Sequence, residues 1–389
     1  MIYLDNHATT RVDPRVVEAM LPFFSETFGN AGSAHGVGET AQQAVELSRN
    51  SIATAIGAEP QEIVFTSGAT ESNNLAIRGV AERARRRGNH LVSVKTEHQA
   101  VLGPLARLAR RDYDVTLLDV QPAASERAGG LDPLQVAQAI RDDTVLVSVM
   151  LANNEIGVIQ PLAEIGEICH EHGVLLHCDA TQAVGKIPVD VRELKVDLMS
   201  FTAHKVYGPK GVGALYVRRR DPIVRLDAQI VGGGQEAGRR SGTLNVPGIV
   251  GFGKALELCL REMPAEAERQ ATLRNQLWTE LENNIAGVQL CGPNCAGQLR
   301  LPNNLNVSFG DVDGETLMLA MKDLAVSSGA TCAASDPGPS HVLLALGLSE
   351  DQARSSLRFG LGRFNTEKDL EQASAAVSQA VQQLRKTGP

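Results

Sequence analysis

Residues 145–179 read VLVSVMLANNEIGVIQPLAEIGEICHEHGVLLHCD, and their pattern decides the fold. Val145–Leu151 and Val174–Asp179 are apolar runs of strand length. Between them Pro161–Gly173 has helical spacing: Pro161 sits near its start, Leu162, Ile165, Ile168 and Cys169 share one face, and Gly173 ends it. The same alternation extends outward, with Ile63–Thr66, Leu91–Val94, Val115–Leu118, Leu198–Phe201 and Gly213–Val217 as further strands. Strand–helix–strand repetition implies an α/β fold, a mostly parallel sheet covered by helices on both faces.

The character changes after about residue 255. A charged helical stretch, 264–284, leads to a strand Asn304–Phe309, a helix Glu315–Leu324 and a Gly/Ser/Ala/Pro-rich stretch Ser327–Ser340. A strand Ser356–Phe359 and a last helix Glu367–Lys386 follow, the helix carrying Leu370, Ala373, Val377, Val381 and Leu384 on one stripe. This reads as a second, smaller α+β domain.

The chain has 389 residues, 43% of them apolar, and a formal net charge of −8, which suits a large buried core and disfavours nucleic acid as a partner. No apolar run reaches membrane-spanning length, so no membrane is expected. MIYLDNHATT lacks a basic region followed by an apolar stretch, so no export signal is expected; the cytoplasm is the expected compartment and the six cysteines are expected to be thiols.

Four clusters carry chemistry. Thr66–Asn74 runs from a strand end through small residues into a helix start, where backbone N–H groups and the helix dipole favour an anion. Gly68 and Ala69 would let a phosphate approach, and Thr70 adds a hydroxyl. An ordinary capped helix is the simpler reading of this cluster alone. In Leu175–Gln182, strand alternation puts His177 and Asp179 on one face and Cys178 on the other. An acid ending a buried strand calls for a cation, such as the protonated ring nitrogen of pyridoxal phosphate, or it caps a helix; Cys178 reads as core packing. In Ser200–Gly211, Lys205 follows an apolar strand and precedes a Gly/Pro turn, where a lysine can form a Schiff base or sit on the surface. Thr202 and His204 could bind phosphate beside it, and Lys210 reads as a surface lysine. Cys332 lies among small residues, glycines and prolines, the setting of an exposed loop thiol, either nucleophilic or incidental. The single Cys291/Cys295 pair is too few ligands for a zinc site, so no intrinsic metal is expected.

Together these clusters resemble the cysteine desulfurases of the NifS/IscS group, in the class V aminotransferase family of fold type I pyridoxal-phosphate enzymes. The likeness runs in order through YLDNHATT, EIVFTSGATESNN, KTEHQAVL, NNEIGVIQP, HCDATQAVGKIP, VDLMSFTAHKVYGPKGVGALYVRR, GGGQEAGRRSGTLN, SSGATC and SSLRFGLGRF. It implies a seven-stranded sheet in a large domain, residues 16–258, and a small domain made of residues 1–15 with 259–389. It implies pyridoxal 5'-phosphate as cofactor. Lys205 would be its Schiff-base lysine, His98 would stack on the ring and shuttle protons, Asp179 would pair the ring nitrogen, and Gln182 would bind the ring hydroxyl with Asn154 nearby. Ala69, Thr70, Thr202 and His204 would hold the phosphate, and Thr243 would reach the phosphate of a neighbouring subunit in a homodimer. Asn154 and Arg358 would meet the substrate, L-cysteine, Arg358 by clamping its carboxylate. Cys332 would accept the sulphur as a persulphide and pass it to an iron–sulphur scaffold or another acceptor, able to hold a cluster transiently on the way.

Three departures stand out. Gly-Ala-Thr-Cys replaces the commoner Gly-Ser-Ala-Cys, Thr202 stands for a serine, and Cys178 for an apolar residue. The end of the chain soon after its last helix leads to the expectation that the longer scaffold-docking tail of housekeeping members is missing.

Overall fold

The computed structural model describes residues 1–328 and 338–387. The chain starts with a short strand, β1 (Ile2–Tyr3). Seven strands then build the main sheet: β2 (Ile63–Thr66), β3 (His90–Val94), β4 (Asp114–Leu118), β5 (Thr144–Ser148), β6 (Leu175–Asp179), β7 (Leu198–Thr202) and β8 (Gly213–Val217). Their order is β2-β8-β7-β6-β5-β3-β4, and β8 alone runs antiparallel to its neighbours. Nearly every residue of these strands is buried, which is why they read as unbroken apolar runs; only β4, at the sheet edge, is half exposed.

Both faces are covered. Helices Ala69–Ala84 and Gln99–Ala109 bury Leu75, Ile77 and Leu105 against Leu91, Leu146 and Leu198 on one side. Helices Gly36–Thr54, Leu162–Glu171 and the first part of Val246–Asn284 cover the other. Helix Leu162–Glu171 follows its sequence signals closely, with Pro161 at the N-cap and Gly173 beyond the end at φ +63°.

Three boundaries differ from the sequence reading. β5 ends at Ser148 rather than Leu151: Val149 and Leu151 still donate to the carbonyls of His177 and Asp179, but Met150 N–H is taken by the carboxyl side chain of Glu97 at 2.5 Å instead of by a neighbouring strand. The helix expected from residue 264 begins at Val246. Pro247, Gly248, Gly251 and Gly253 look like breakers in sequence, but two of these glycines are needed for packing. A Cβ on Gly251 would lie 2.5 Å from Met20 Sδ, and one on Gly253 2.9 Å from Ser48 Cα. The helix expected over Glu315–Leu324 stops at Ala320; Leu324 instead joins β11 (Leu324–Ala325), which pairs in parallel with β1.

The second part is an antiparallel sheet of order β12-β13-β10-β9, from β9 (Val288–Leu290), β10 (Asn304–Phe309), β12 (Ser327–Ser328) and β13 (Ser356–Gly360). Helix Glu367–Thr387 and the later part of Val246–Asn284 pack on it through Leu370, Val377, Leu273 and Leu277. Core membership changes between Cys259 and Leu273 along the long helix, and between Leu4 and Val16 at the start. We propose the division into residues 16–258 and 1–15 with 259–389 on that ground; residues Val342–Ala353 cross it and pack on the large core. No helix among the described residues is long and apolar enough to cross a membrane.

Candidate active site

The main-sheet strands β2, β6 and β7 end at Thr66, Asp179 and Thr202, and the chain turns that follow surround one cleft of about 600 Å³. Ligands of open α/β sheets bind at this carboxyl edge. Every site residue expected from the sequence lines this cleft, apart from Thr243 and Cys332. Thr243 is exposed and does not line its own chain's cleft. Cys332 lies outside the described residues.

One wall is basic. Lys205 sits in a 3-10 turn directly after β7, and its Nζ donates to the carbonyl oxygens of His7 and Ala8, both at 2.5 Å. Lys210, read as a surface lysine, is exposed but lines the cleft too. The floor is acidic. Asp179 is 5% exposed, accepts from Asn73 Nδ2 at 2.7 Å and Thr181 N at 3.0 Å, and forms no ion pair among the described residues. A buried carboxylate held only by neutral donors is a seat for a cation. On the same sheet face His177 bridges Ser148 Oγ and Ser200 Oγ at 2.8 and 3.0 Å, and burial pushes its pKa down to about 4, so it is a neutral link between strands. Cys178 points the other way into the core, as alternation requires.

An anion seat adjoins the lysine. The helix Ala69–Ala84 starts at Gly68, whose φ of +156° favours glycine, and a Cβ on Gly213 would lie 2.6 Å from Gly68 Cα. Small residues on both strands therefore leave the helix N-terminus open to the cleft, with the hydroxyls of Thr70 and Thr202 beside it. Thr202 Oγ1 donates to Val212 O at 3.0 Å. His204 contacts Thr9 Oγ1 through Nδ1 at 3.2 Å; burial, then the charges of Lys205 and Lys210, lower its pKa to about 4, so it meets an anion as a neutral N–H donor.

His98 caps helix Gln99–Ala109, with Nδ1 accepting from Ala100 N at 3.0 Å, which puts the ring proton of the neutral form on Nε2, on the cleft side. Its surroundings lower its pKa through burial, against the opposing pull of Asp179, so the ring is neutral at neutral pH. Across the cleft, Arg358 of β13 is 4% exposed. Its Nη2 donates to Asp5 Oδ1 at 3.0 Å and to Ser327 Oγ at 2.8 Å, its Nη1 to Asn154 O at 3.2 Å, and its buried Nε has no partner among the described residues. A guanidinium lining a cleft suits a carboxylate ligand. Gln182 is more engaged than expected: its Nε2 donates to His7 O at 3.0 Å, and its Oε1 accepts from Lys186 Nζ at 2.7 Å and meets His7 Nδ1 at 2.9 Å.

His7, Asn73, Glu97 and Lys186 were missed by the sequence reading. Each sits inside a motif that had been quoted, but their roles depend on contacts remote in sequence. Glu97 is fully buried, and burial followed by the charge of Asp179 pushes its carboxyl well above the usual carboxylate range. It therefore stays protonated and ties the His98 turn to Met150 N, while its own carbonyl accepts from His341 Nε2 at 2.9 Å. Because its folded pKa is raised, the stability it contributes is complete below the unfolded carboxyl pKa and is lost as pH rises. Glu97→Gln removes this dependence. Its melting temperature relative to the parent should climb with pH above about 4.5, by up to about 1.4 kcal/mol of stability per pH unit. A pH-independent difference in calorimetry would show that Glu97 is ionised in the folded protein.

Cys291 and Cys295 are both buried, their carbonyls bound by Arg300 and Arg274, and no group of three or more metal-binding side chains gathers among the described residues.

The cleft thus offers an amine, an uncompensated carboxylate, an anion seat and a carboxylate clamp around one space. Residues 2–373 match the model of the family "Aminotransferase class-V". The chain is 55% identical to the cysteine desulfurase IscS of Anaeromyxobacter sp. (strain Fw109-5), covering 100% of this chain and 94% of that protein. Among solved structures it is similar to a NifS-like protein at 38% identity, with a TM-score of 0.90 and coverage of 98% of this chain and 99% of that one. It is also similar to SspA in complex with cysteine, at 37% identity and a TM-score of 0.81, covering 94% of this chain and 100% of that one.

Proposed function

This chain belongs to the class V aminotransferase family and is a cysteine desulfurase, and we propose that its cleft binds pyridoxal phosphate and L-cysteine between Lys205, Asp179 and Arg358. The observation that carries this reading is the pairing of a buried, cation-free Asp179 with an amine, Lys205, beside an open helix N-terminus. The donor set fits the cofactor: Lys205 for the aldehyde, Asp179 for a protonated ring nitrogen, and Ala69, Thr70, Thr202 and His204 for the phosphate. Gln182 and Asn154 lie within the same lining. When bound, the cofactor supplies an electron sink for the substrate's α-carbon.

The protein's own groups do the rest. Arg358 orients the substrate carboxylate from the cleft lining. Lys205 and His98 move protons, Lys205 at the α-carbon and His98 at the substrate thiol side of the cleft. The Cys332 thiolate attacks the substrate sulphur, the C–S bond breaks with its electron pair staying on carbon, and a proton completes alanine while Cys332 keeps the sulphur as a persulphide. That persulphide is then passed to an iron–sulphur scaffold or another acceptor protein.

Purified protein given the cofactor and L-cysteine under reducing conditions should release alanine and sulphide in equal amounts. Colourless protein that makes neither would overturn the assignment, and an oxo acid in place of alanine would make it an aminotransferase. A homodimer is part of the same reading, supported by exposed apolar side chains at Leu21, Phe24, Phe28 and Val231 and by Thr243 lying outside its own cleft. Sedimentation should find a dimer, and Thr243→Ala should weaken cofactor retention by about tenfold, as for one lost hydrogen bond to a charged group. A stable, active monomer would contradict it.

A further inference from the structure

Lys186 is a buried lysine that the chemistry above does not use. It lies in the turn after β6, four residues past Gln182, with 8% of its surface exposed. Gly185, at φ +74°, presses this turn into the core: a Cβ there would lie 2.9 Å from Val206 Cγ1 and 3.2 Å from Cys259 Cβ. The ammonium cannot therefore swing to solvent without unpacking the turn. Its Nζ donates to Gln182 Oε1 at 2.7 Å, and it makes no ion pair among the described residues.

Two links join Lys186 to the cleft lysine. The first is a hydrogen-bond chain. Lys186 and the His7 Nδ1–H both hold Gln182 Oε1, which turns Gln182 Nε2 onto the His7 carbonyl, and the same carbonyl accepts from Lys205 Nζ. Asn304 Nδ2 meets His7 Nε2 at 3.3 Å, which fixes the tautomer with the proton on Nδ1. The second link is charge. Lys186 is faced by Lys205 from the turn after β7, Arg358 from β13, His7 from the N-terminal segment and Cys259 from the long helix. Tyr207, Glu266 and Arg363 share with it a small adjoining cavity. Burial keeps His7 and Cys259 neutral, the latter pushed up to about 11, and Glu266 is bound to Arg269 and Gln270. Two cations, Lys205 and Arg358, therefore act on Lys186 without a carboxylate bound to it. Burial first, then Lys205, lowers its own pKa to about 7.

We propose that Lys186 is a positioning residue of this cleft: through Gln182 and the His7 carbonyl it sets where the Lys205 amine rests. The inference rests on Lys205 being the cofactor-bearing lysine. It adds a second amine that holds the first in place through Gln182 and His7.

The test uses cofactor-free protein. Lys205 is labelled by acetic anhydride over a range of pH, and its reactivity is read by peptide mass spectrometry in the parent, Lys186→Met and Lys186→Arg. Lys186→Met, which removes the donor to Gln182 Oε1, should change the limiting rate of Lys205 labelling at high pH by about tenfold, as for one lost hydrogen bond holding the chain in place. Lys186→Arg, which keeps a donor for Gln182 Oε1, should restore most of the parent's limiting rate. An unchanged limiting rate in a folded Lys186→Met protein overturns the proposal. If that variant does not fold, a limiting rate in Lys186→Gln equal to the parent's overturns it instead. The parent reading fails separately, when borohydride trapping of the cofactor aldehyde tags a lysine other than Lys205.

Discussion

Lys205→Ala is expected to bind no cofactor covalently and to lose alanine formation by at least roughly 10³-fold, the scale at which a positioned nucleophile and proton carrier contributes. The amine is held at the cleft wall by the backbone carbonyls of His7 and Ala8. These neutral acceptors can release it to an aldehyde without stranding a buried counter-charge. Alanine at this position leaves the fold intact, because the turn Ala203–Lys205 is built by backbone hydrogen bonds from Val206 and Gly208 to Ala203 O. The variant should therefore melt like the parent but stay colourless with added pyridoxal phosphate. Borohydride trapping in the parent should map to Lys205 alone. Full turnover in Lys205→Ala, or trapping at Lys210, would move the covalent role elsewhere in the cleft.

Cys332→Ser should separate the two halves of the reaction. It should keep the parent's visible absorbance with cofactor, yet release alanine from L-cysteine at less than roughly one hundredth of the parent rate, since a serine hydroxyl stays protonated where a thiol ionises. Cys332 is outside the described residues, but the chain on both sides of it is tied to the cleft. On one side, Ser327 Oγ accepts from Arg358 Nη2 and donates to Asp5 Oδ1. On the other, Ser340 Oγ donates to Glu155 Oε2 and His341 meets the Glu97 carbonyl. Cys332 is five positions after Ser327, a reach of up to ~17 Å of extended chain, enough to bring a thiol over a cleft that begins at Arg358. Undiminished alanine release in Cys332→Ser would remove this thiol from the mechanism.

The fold class was legible because it depends on local pattern. Apolar runs of strand length alternating with helical spacing specify buried parallel strands whatever their neighbours, and β2 and β8 fall where the sequence reading put them. The chemistry-bearing residues were legible for a related reason. Lys205, Asp179 and Thr202 sit at strand ends or in the turns that follow, so finding the strands located them at the sheet's carboxyl edge.

Where the reading went astray, a contact remote in sequence overrode the local signal. The helix extends well before residue 264, where Gly251 and Gly253 allow its close packing on Met20 and Ser48. The end of the helix after Ala320 follows from Leu324 pairing with the second residue of the chain.

Strand positions, sheet class and the placing of the candidate residues at the sheet's carboxyl edge were thus determined by the sequence itself, because each depends on residue type and short-range periodicity. Only the tertiary structure decided which neutral partners surround Asp179, that Glu97 is sealed beneath it, and that His7, Gln182, Lys186 and Lys205 form one network. The physical reason is that protonation and hydrogen bonding respond to burial and to charges a few ångströms away, and here those charges come from parts of the chain up to 353 residues apart.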